Sequence, residues 1–149
     1  MPHRAVIGLG SNQGNREFYL NLSICLIEWE VGDVVQRSSV IETPSWGFES
    51  DPFLNQVIVV HTILEPLPLL DALQSIERRL GRTQKSTVED GKPVYHPRTI
   101  DLDILDYDRM RYRDERLTLP HPHIAEREFV LAPLRELGLD LCSPLTLNF

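Results

Sequence analysis

The run Val34-Val35-Gln36-Arg37-Ser38-Ser39-Val40-Ile41, followed after a short interval by Phe53-Leu54-Asn55-Gln56-Val57-Ile58-Val59-Val60-His61-Thr62-Ile63-Leu64, decides the fold. Both runs are rich in β-branched residues, and Thr43-Pro44 with the loop Ser45 to Pro52 separates them, so they read as two consecutive strands without a helix between. A doubly wound α/β sheet alternates strand and helix throughout and does not accommodate that pair. Ahead of it, Ala5-Val6-Ile7-Gly8-Leu9 reads as a buried first strand. Phe18, Leu22, Cys25, Leu26 and Trp29 then recur at helical spacing, as one stripe of a helix facing the core, with Asn15 as N-cap. Behind it, Pro66 and Pro68 open a second helix with Leu69, Leu70, Leu73, Ile76, Glu77 and Leu80 on one face and Gly81 at its end. Thr99 to Tyr107 alternates as a fourth strand, a turn or short hairpin leads to Leu117, and a last helix begins near Arg127 to Leu131. Strand, helix, strand, strand, helix, strand predicts an α+β ferredoxin-like sandwich, with helices on one face of an antiparallel sheet.

The 149 residues carry 15 Lys+Arg against 22 Asp+Glu, a formal net charge of −7. One domain, residues 1–149, suits this length, which buries roughly 68–70% of the unfolded surface. The acidic balance, without a basic tail, speaks against nucleic acid or a membrane surface as partner. The apolar run after Met1-Pro2-His3-Arg4 is too short for a signal peptide, so the expected location is the cytoplasm. Cys25 and Cys142 read as reduced, buried thiols rather than a disulfide or metal pair.

The strongest chemical signal is Arg98-Thr99-Ile100-Asp101-Leu102-Asp103. Period two puts Asp101 and Asp103 on one strand face, Cα atoms roughly 6.5–7 Å apart, with Ile100, Leu102 and Ile104 on the other. Two carboxylates so close repel unless a cation lies between them, and hard oxygen ligands suit Mg²⁺; a solvated acidic face is the bland alternative. Arg98 beside the pair and the polar stretch from Arg82 to Arg98, read as a loop that closes as a lid, favour the metal–phosphate reading. Gly8-Leu9-Gly10-Ser11-Asn12-Gln13-Gly14 misses both the dinucleotide fingerprint and the P-loop, and reads as a tight strand-to-helix turn. His121-Pro122-His123 supplies too few ligands for zinc. Trp46, Phe48, Phe53 and Phe129 suit either core or a stacking pocket.

Taken together, these segments resemble the 6-hydroxymethyl-7,8-dihydropterin pyrophosphokinases of folate biosynthesis. The resemblance runs from Val6 to about Pro133 through Gly10-Ser11-Asn12, Thr43-Pro44, Phe53-Leu54-Asn55, Glu77, Gly81-Arg82, Pro97 to Ile104, Pro120-His121 and Arg127-x-Phe129-Val130-Leu131. It implies transfer of pyrophosphate from ATP to the pterin hydroxymethyl oxygen, with release of AMP. By the same resemblance Asp101 and Asp103 hold two Mg²⁺ ions, and Arg82 and Arg98 join them as catalytic residues. Gln74, Glu77, Arg82, Arg98, Ile104, His121 and Arg127 bind ATP, while Thr43, Pro44, Trp46, Phe53, Asn55 and Phe129 bind the pterin. ATP and the pterin are then the only partners of a monomer. The chain departs from the family pattern in a longer, more acidic 82–98 stretch, in Pro122 after His121, in Tyr95 where a loop tryptophan is common and in Phe53 for a frequent tyrosine. A non-catalytic ferredoxin-like ligand-binding module is the alternative, and it would not need Asp101, Asp103, Arg98 and Arg82 to converge. A metal-dependent phosphodiesterase would need a water-activating base that no residue supplies.

Overall fold

A computed structural model describes residues 2–43, 52–81, 86–89, 92–95, 99–122, 124 and 127–139, the two short segments within 86–95 as backbone only. Four long or central strands, β1 (His3–Ser11), β2 (Gly32–Arg37), β4 (Phe53–Thr62) and β7 (Asp101–Tyr107), lie side by side in the order β2-β4-β1-β7. Every neighbouring pair is antiparallel. The helices α1 (Arg16–Glu30) and α2 (Pro66–Arg79) return the chain across the sheet, which interleaves two strand–helix–strand units and gives the expected ferredoxin-like sandwich.

Alternation along the central strands divides the interior in two. Ala5, Ile7 and Leu9 of β1, Ile58 and Val60 of β4, and Leu102 and Ile104 of β7 meet α1 and α2 in the larger core. Val6, Val57, Val59 and Leu105 point the other way and meet Val130 and Leu134 of α3 (Glu128–Glu136). The helices are therefore not all on one face: α3 covers part of the second face, and the other described residues leave the rest of that face open.

Several further sequence expectations change. The α1 face toward the sheet is Leu20, Ser23, Ile24 and Ile27, continued by Val31, whereas Phe18 is 54% and Trp29 87% exposed and Cys25 is exposed as well. The helix carries two apolar stripes on opposite sides; Phe18, Leu22, Cys25 and Trp29 form the outward one, while Leu26 of the expected stripe packs partly against the core. Periodicity alone does not say which stripe meets the sheet. Cys142 lies outside the described residues.

The expected second strand breaks at Ser38 into β2 and β3 (Ile41–Thr43), both paired to β4. Ser38 fills the gap: its N–H donates to the Val57 carbonyl at 2.8 Å and its Oγ accepts from the Val57 N–H at 2.9 Å. The 82–98 stretch is not without structure, because β5 (Ser86–Glu89) and β6 (Lys92–Tyr95) form an antiparallel hairpin. Finally, the first strand does not stop at Leu9: Gly10 lies with Gly8 inside β1, which runs on to Ser11, rather than in a turn.

Other expectations hold. Asn15 caps α1 by accepting from the Phe18 N–H at 3.1 Å. Leu69, Leu70, Leu73, Ile76 and Glu77 are the buried face of α2. The short hairpin before the last helix is β8 (Tyr112–Arg113) with β9 (Thr118–Leu119). At the start of β2, Gly32 is required by close approach, since a Cβ there would lie 1.9 Å from the His61 carbonyl oxygen.

Candidate active site

The open part of the second sheet face forms a cleft, floored by β1 and walled by β4, β7 and the start of α3. Its floor is made by two adjacent rungs of the sheet. On one rung Gly10 of β1 pairs with Asn55 of β4 on one side and with Asp101 of β7 on the other. On the next, Gly8 pairs with Val57 and Asp103. The two glycines sit two residues apart, so both present a missing side chain to the same face. A larger residue at either place would fill the floor: a Cβ on Gly10 would lie 3.3 Å from Asn55 Oδ1 and 3.5 Å from Phe53 Cδ1, and one on Gly8 would touch Leu105 at 3.4 Å.

The β4 side of the cleft is apolar with one amide. Phe53 and Asn55 project from alternate positions of β4, and β3 lays Thr43 opposite Phe53. Asn55 is 6% exposed, and its Nδ2 donates to Thr43 Oγ1 at 2.7 Å. Phe129 and Val130, in the first turn of α3, close this wall from above. Phe129 also carries the Arg127 guanidinium 5.7 Å from its ring centroid, within cation–π range.

The β7 side is polar. Asp101 and Asp103, both partly exposed, line the cleft together with His121 and Arg127. His121 is held there by its own backbone, whose N–H donates to the Leu105 carbonyl at 2.9 Å. Arg127 is the N-cap residue of α3, so a guanidinium and the positive end of a helix dipole meet at one corner. Beneath the acidic pair, Glu77 of α2 is 3% exposed, and its Oε2 accepts from the N–H of Leu102, the residue between Asp101 and Asp103. At 2.8 Å this bond ties α2 to the strand that carries both acids.

Among the expected site residues, Asp101, Asp103, His121, Arg127, Thr43, Phe53, Asn55 and Phe129 converge on this one cleft. Gln74, Glu77 and Ile104 are placed differently. Ile104 is 3% exposed within the helix-side core, Glu77 lies below β7, and Gln74 accepts through Oε1 from Arg116 Nη2 at 3.2 Å beside an Asp71–Arg116 ion pair of 2.6 Å. None of these three lines the cleft. Arg82, Arg98, Pro44 and Trp46 lie outside the described residues.

Sequence reasoning missed Gly8, Val57, Ile124 and Val130 as lining residues, and gave Gly10 no place in a cleft. The available signal was the Gly-x-Gly spacing at the end of an apolar strand, which reads as two empty positions on one face once the strand is extended by two residues. Two or three acids and histidines suffice to hold a metal ion only with help: among the described residues no group of three or more such side chains forms a cage. A pair of carboxylates facing a cleft suits Mg²⁺ shared with substrate phosphates rather than enclosed by protein.

A ferredoxin-like sheet with an aromatic and amide wall on one side of a glycine floor, and paired carboxylates, a histidine and an arginine on the other, defines a small α+β protein with a cleft that is apolar at one end and charged at the other. The chain belongs to the 7,8-dihydro-6-hydroxymethylpterin-pyrophosphokinase family, whose profile matches residues 6–138. It is 42% identical over 139 residues to the 2-amino-4-hydroxy-6-hydroxymethyldihydropteridine pyrophosphokinase of Bacillus subtilis, covering 92% of this chain and 79% of the relative. The protein of the same name from Porphyromonas gingivalis is 41% identical over 134 residues, covering 89% and 88%. In fold, the chain matches a Plasmodium falciparum HPPK-DHPS structure with a TM-score of 0.71 at 16% identity, covering 91% of this chain and 40% of that longer one. No helix among the described residues is long and apolar enough to cross a membrane.

Proposed function

We infer that this chain transfers the pyrophosphoryl group of ATP to the hydroxymethyl oxygen of 6-hydroxymethyl-7,8-dihydropterin, releasing AMP, in folate biosynthesis. The observation that carries the reading is the shared rung Asn55-Gly10-Asp101, on top of membership in the family. A flat pterin laid over Gly10 would meet the Asn55 amide at one edge and the faces of Phe53 and Phe129. Its opposite end would then reach the acidic wall. Stacking faces plus a few edge hydrogen bonds are what a neutral heterocycle needs. Thr43, Pro44 and Trp46 complete the pterin side of this proposal.

On the acidic side, Asp101 and Asp103 would hold two Mg²⁺ ions with the triphosphate. When bound, the ions supply charge neutralisation on the phosphate oxygens and fix the triphosphate for attack. Arg127 and His121 face the same space, and Arg82 and Arg98 complete the cationic set. Gln74, Glu77 and Ile104, near α2 and β7, are assigned to ATP by the family pattern. Ile104 and Glu77 are both buried, so Ile104 would contribute by its backbone and Glu77 through the bond that fixes β7.

The reaction needs alignment more than covalent help from the protein. The hydroxymethyl oxygen attacks the β-phosphorus, a new O–P bond forms, the bond from that phosphorus to the α–β bridging oxygen breaks, and AMP leaves with the electron pair. The alcohol proton passes to solvent or phosphate. The protein is proposed to act as a cytoplasmic monomer. Incubating it with ATP, Mg²⁺ and the pterin, then separating nucleotides, tests the reading. AMP formed one-for-one with pterin diphosphate is expected; pterin-dependent ADP, or no turnover by folded protein, overturns it.

A further inference from the structure

We propose that the Thr43 hydroxyl is a positioning group for substrate selection: it orients the Asn55 carboxamide, so that the amide is already set when the heterocycle arrives over Gly10. The proposal rests on the reading of the cleft as the pterin site. Asn55 is nearly buried, and a terminal amide torsion is intrinsically broad, so something must fix the plane of its carboxamide. Among the described residues the contact that does so is with Thr43, Nδ2 to Oγ1 at 2.7 Å. Thr43 is well suited to the task. It is β-branched, hence stiff at χ1, and it stands on β3, held in register against β4 by the Thr43–Phe53 pair.

The consequence is visible on the opposite end of the amide. Asn55 Oδ1 lies 3.3 Å from the place a Gly10 Cβ would take, so the acceptor hangs over the floor of the cleft. One amide proton is committed to Thr43, and Oδ1 and the second proton remain to face a ligand edge that offers a donor beside an acceptor. Without the hydroxyl, Asn55 would have to be ordered at the moment of binding, a cost that falls on the heterocycle alone.

The test compares Thr43→Val, which keeps the shape, with Thr43→Ser, which keeps the hydroxyl, alone and in an Asn55→Ala background. Thr43→Val is expected to raise KM for the pterin by about 5–10-fold while KM for ATP stays within about twofold, and Thr43→Ser is expected to restore most of the loss. In the Asn55→Ala background the valine should add nothing further, because the hydroxyl acts through that amide. An unchanged pterin KM in Thr43→Val, equal losses for valine and serine, or the same loss with Asn55 already removed would each overturn the proposal. Wild-type protein that forms no pterin diphosphate would overturn the functional reading itself, and that result is seen before any Thr43 variant is made.

Discussion

Asn55 and Asp101 share one rung of the sheet, each paired to Gly10 from opposite sides. With neighbouring strands ~4.8 Å apart, the backbones that carry the amide and the carboxylate stand about 10 Å apart across an empty position. That span is the length of a fused two-ring heterocycle with a substituent reaching beyond it.

Gly10→Ala is therefore expected to separate folding from binding. The added methyl would come within 3.3 Å of Asn55 Oδ1 and 3.5 Å of Phe53 Cδ1, contacts that small shifts relieve. Alanine in a strand also recovers about 0.5–1 kcal/mol of chain entropy. The melting temperature should move little, whereas pterin KM should rise by more than about tenfold, because the methyl occupies the place where the ring lies. Steady-state kinetics beside thermal melts check both halves.

Asp101→Asn and Asp103→Asn should do the same on the other wall. Both acids are partly exposed, so each change should alter stability by less than about 1 kcal/mol. Binding is another matter: ligand at a hundred times its Kd adds about 2.7 kcal/mol to the folded state, and the upward melting shift produced by Mg²⁺ with ATP should largely vanish in both variants. Turnover should fall by about a hundredfold or more. A full MgATP shift in Asp101→Asn would remove the acidic pair from the nucleotide site.

Helix α1 offers a test of packing. Ile27 is fully buried and Trp29, two residues on, is 87% exposed. Ile27→Ala should cost about 2–5 kcal/mol, whereas Trp29→Ser and Phe18→Ser should each stay within about 0.5 kcal/mol of the parent. Denaturant unfolding of the three variants decides which stripe faces the sheet.

That helix also shows where a sequence stops being legible. Apolar periodicity revealed the helix and Asn15 its start, but α1 has two apolar stripes, and only contact with β1 and β4 selects Leu20, Ile24 and Ile27 over Phe18, Leu22 and Trp29. The acidic pair was legible because strand alternation is local: Asp101 and Asp103 follow from period two. The glycine floor was less so, because Gly10 looks like part of a turn until β1 is known to continue to Ser11, and its partners Asn55 and Asp101 lie 45 and 91 positions away in the chain. The split of β2 from β3, which sets Thr43 beside Asn55, depends on Ser38 bonding to Val57 across the sheet, a pairing no local pattern contains.

The last prediction concerns pH. Asp106 is 3% exposed; its Oδ2 accepts from the Arg109 N–H at 3.2 Å, and its Oδ1 meets no hydrogen-bond partner among the described residues. Burial pushes its carboxyl above the ordinary value of 3.8, with the Arg109 amide, Arg109 and Arg4 opposing the rise. The sign follows from proton counts. Between the unfolded value and the raised folded one, the native state holds the proton more firmly than the unfolded chain, so stability falls as pH climbs through that window and stays reduced above it. Asp106→Asn keeps an acceptor for the Arg109 N–H and removes the buried charge. Melting at pH 8 should therefore rise by about 2–4 °C over the parent, and the advantage should shrink steadily as the pH is lowered toward 4. Parallel melting curves for Asp106→Asn and the parent at every pH would show that Asp106 does not resist ionisation in the folded chain.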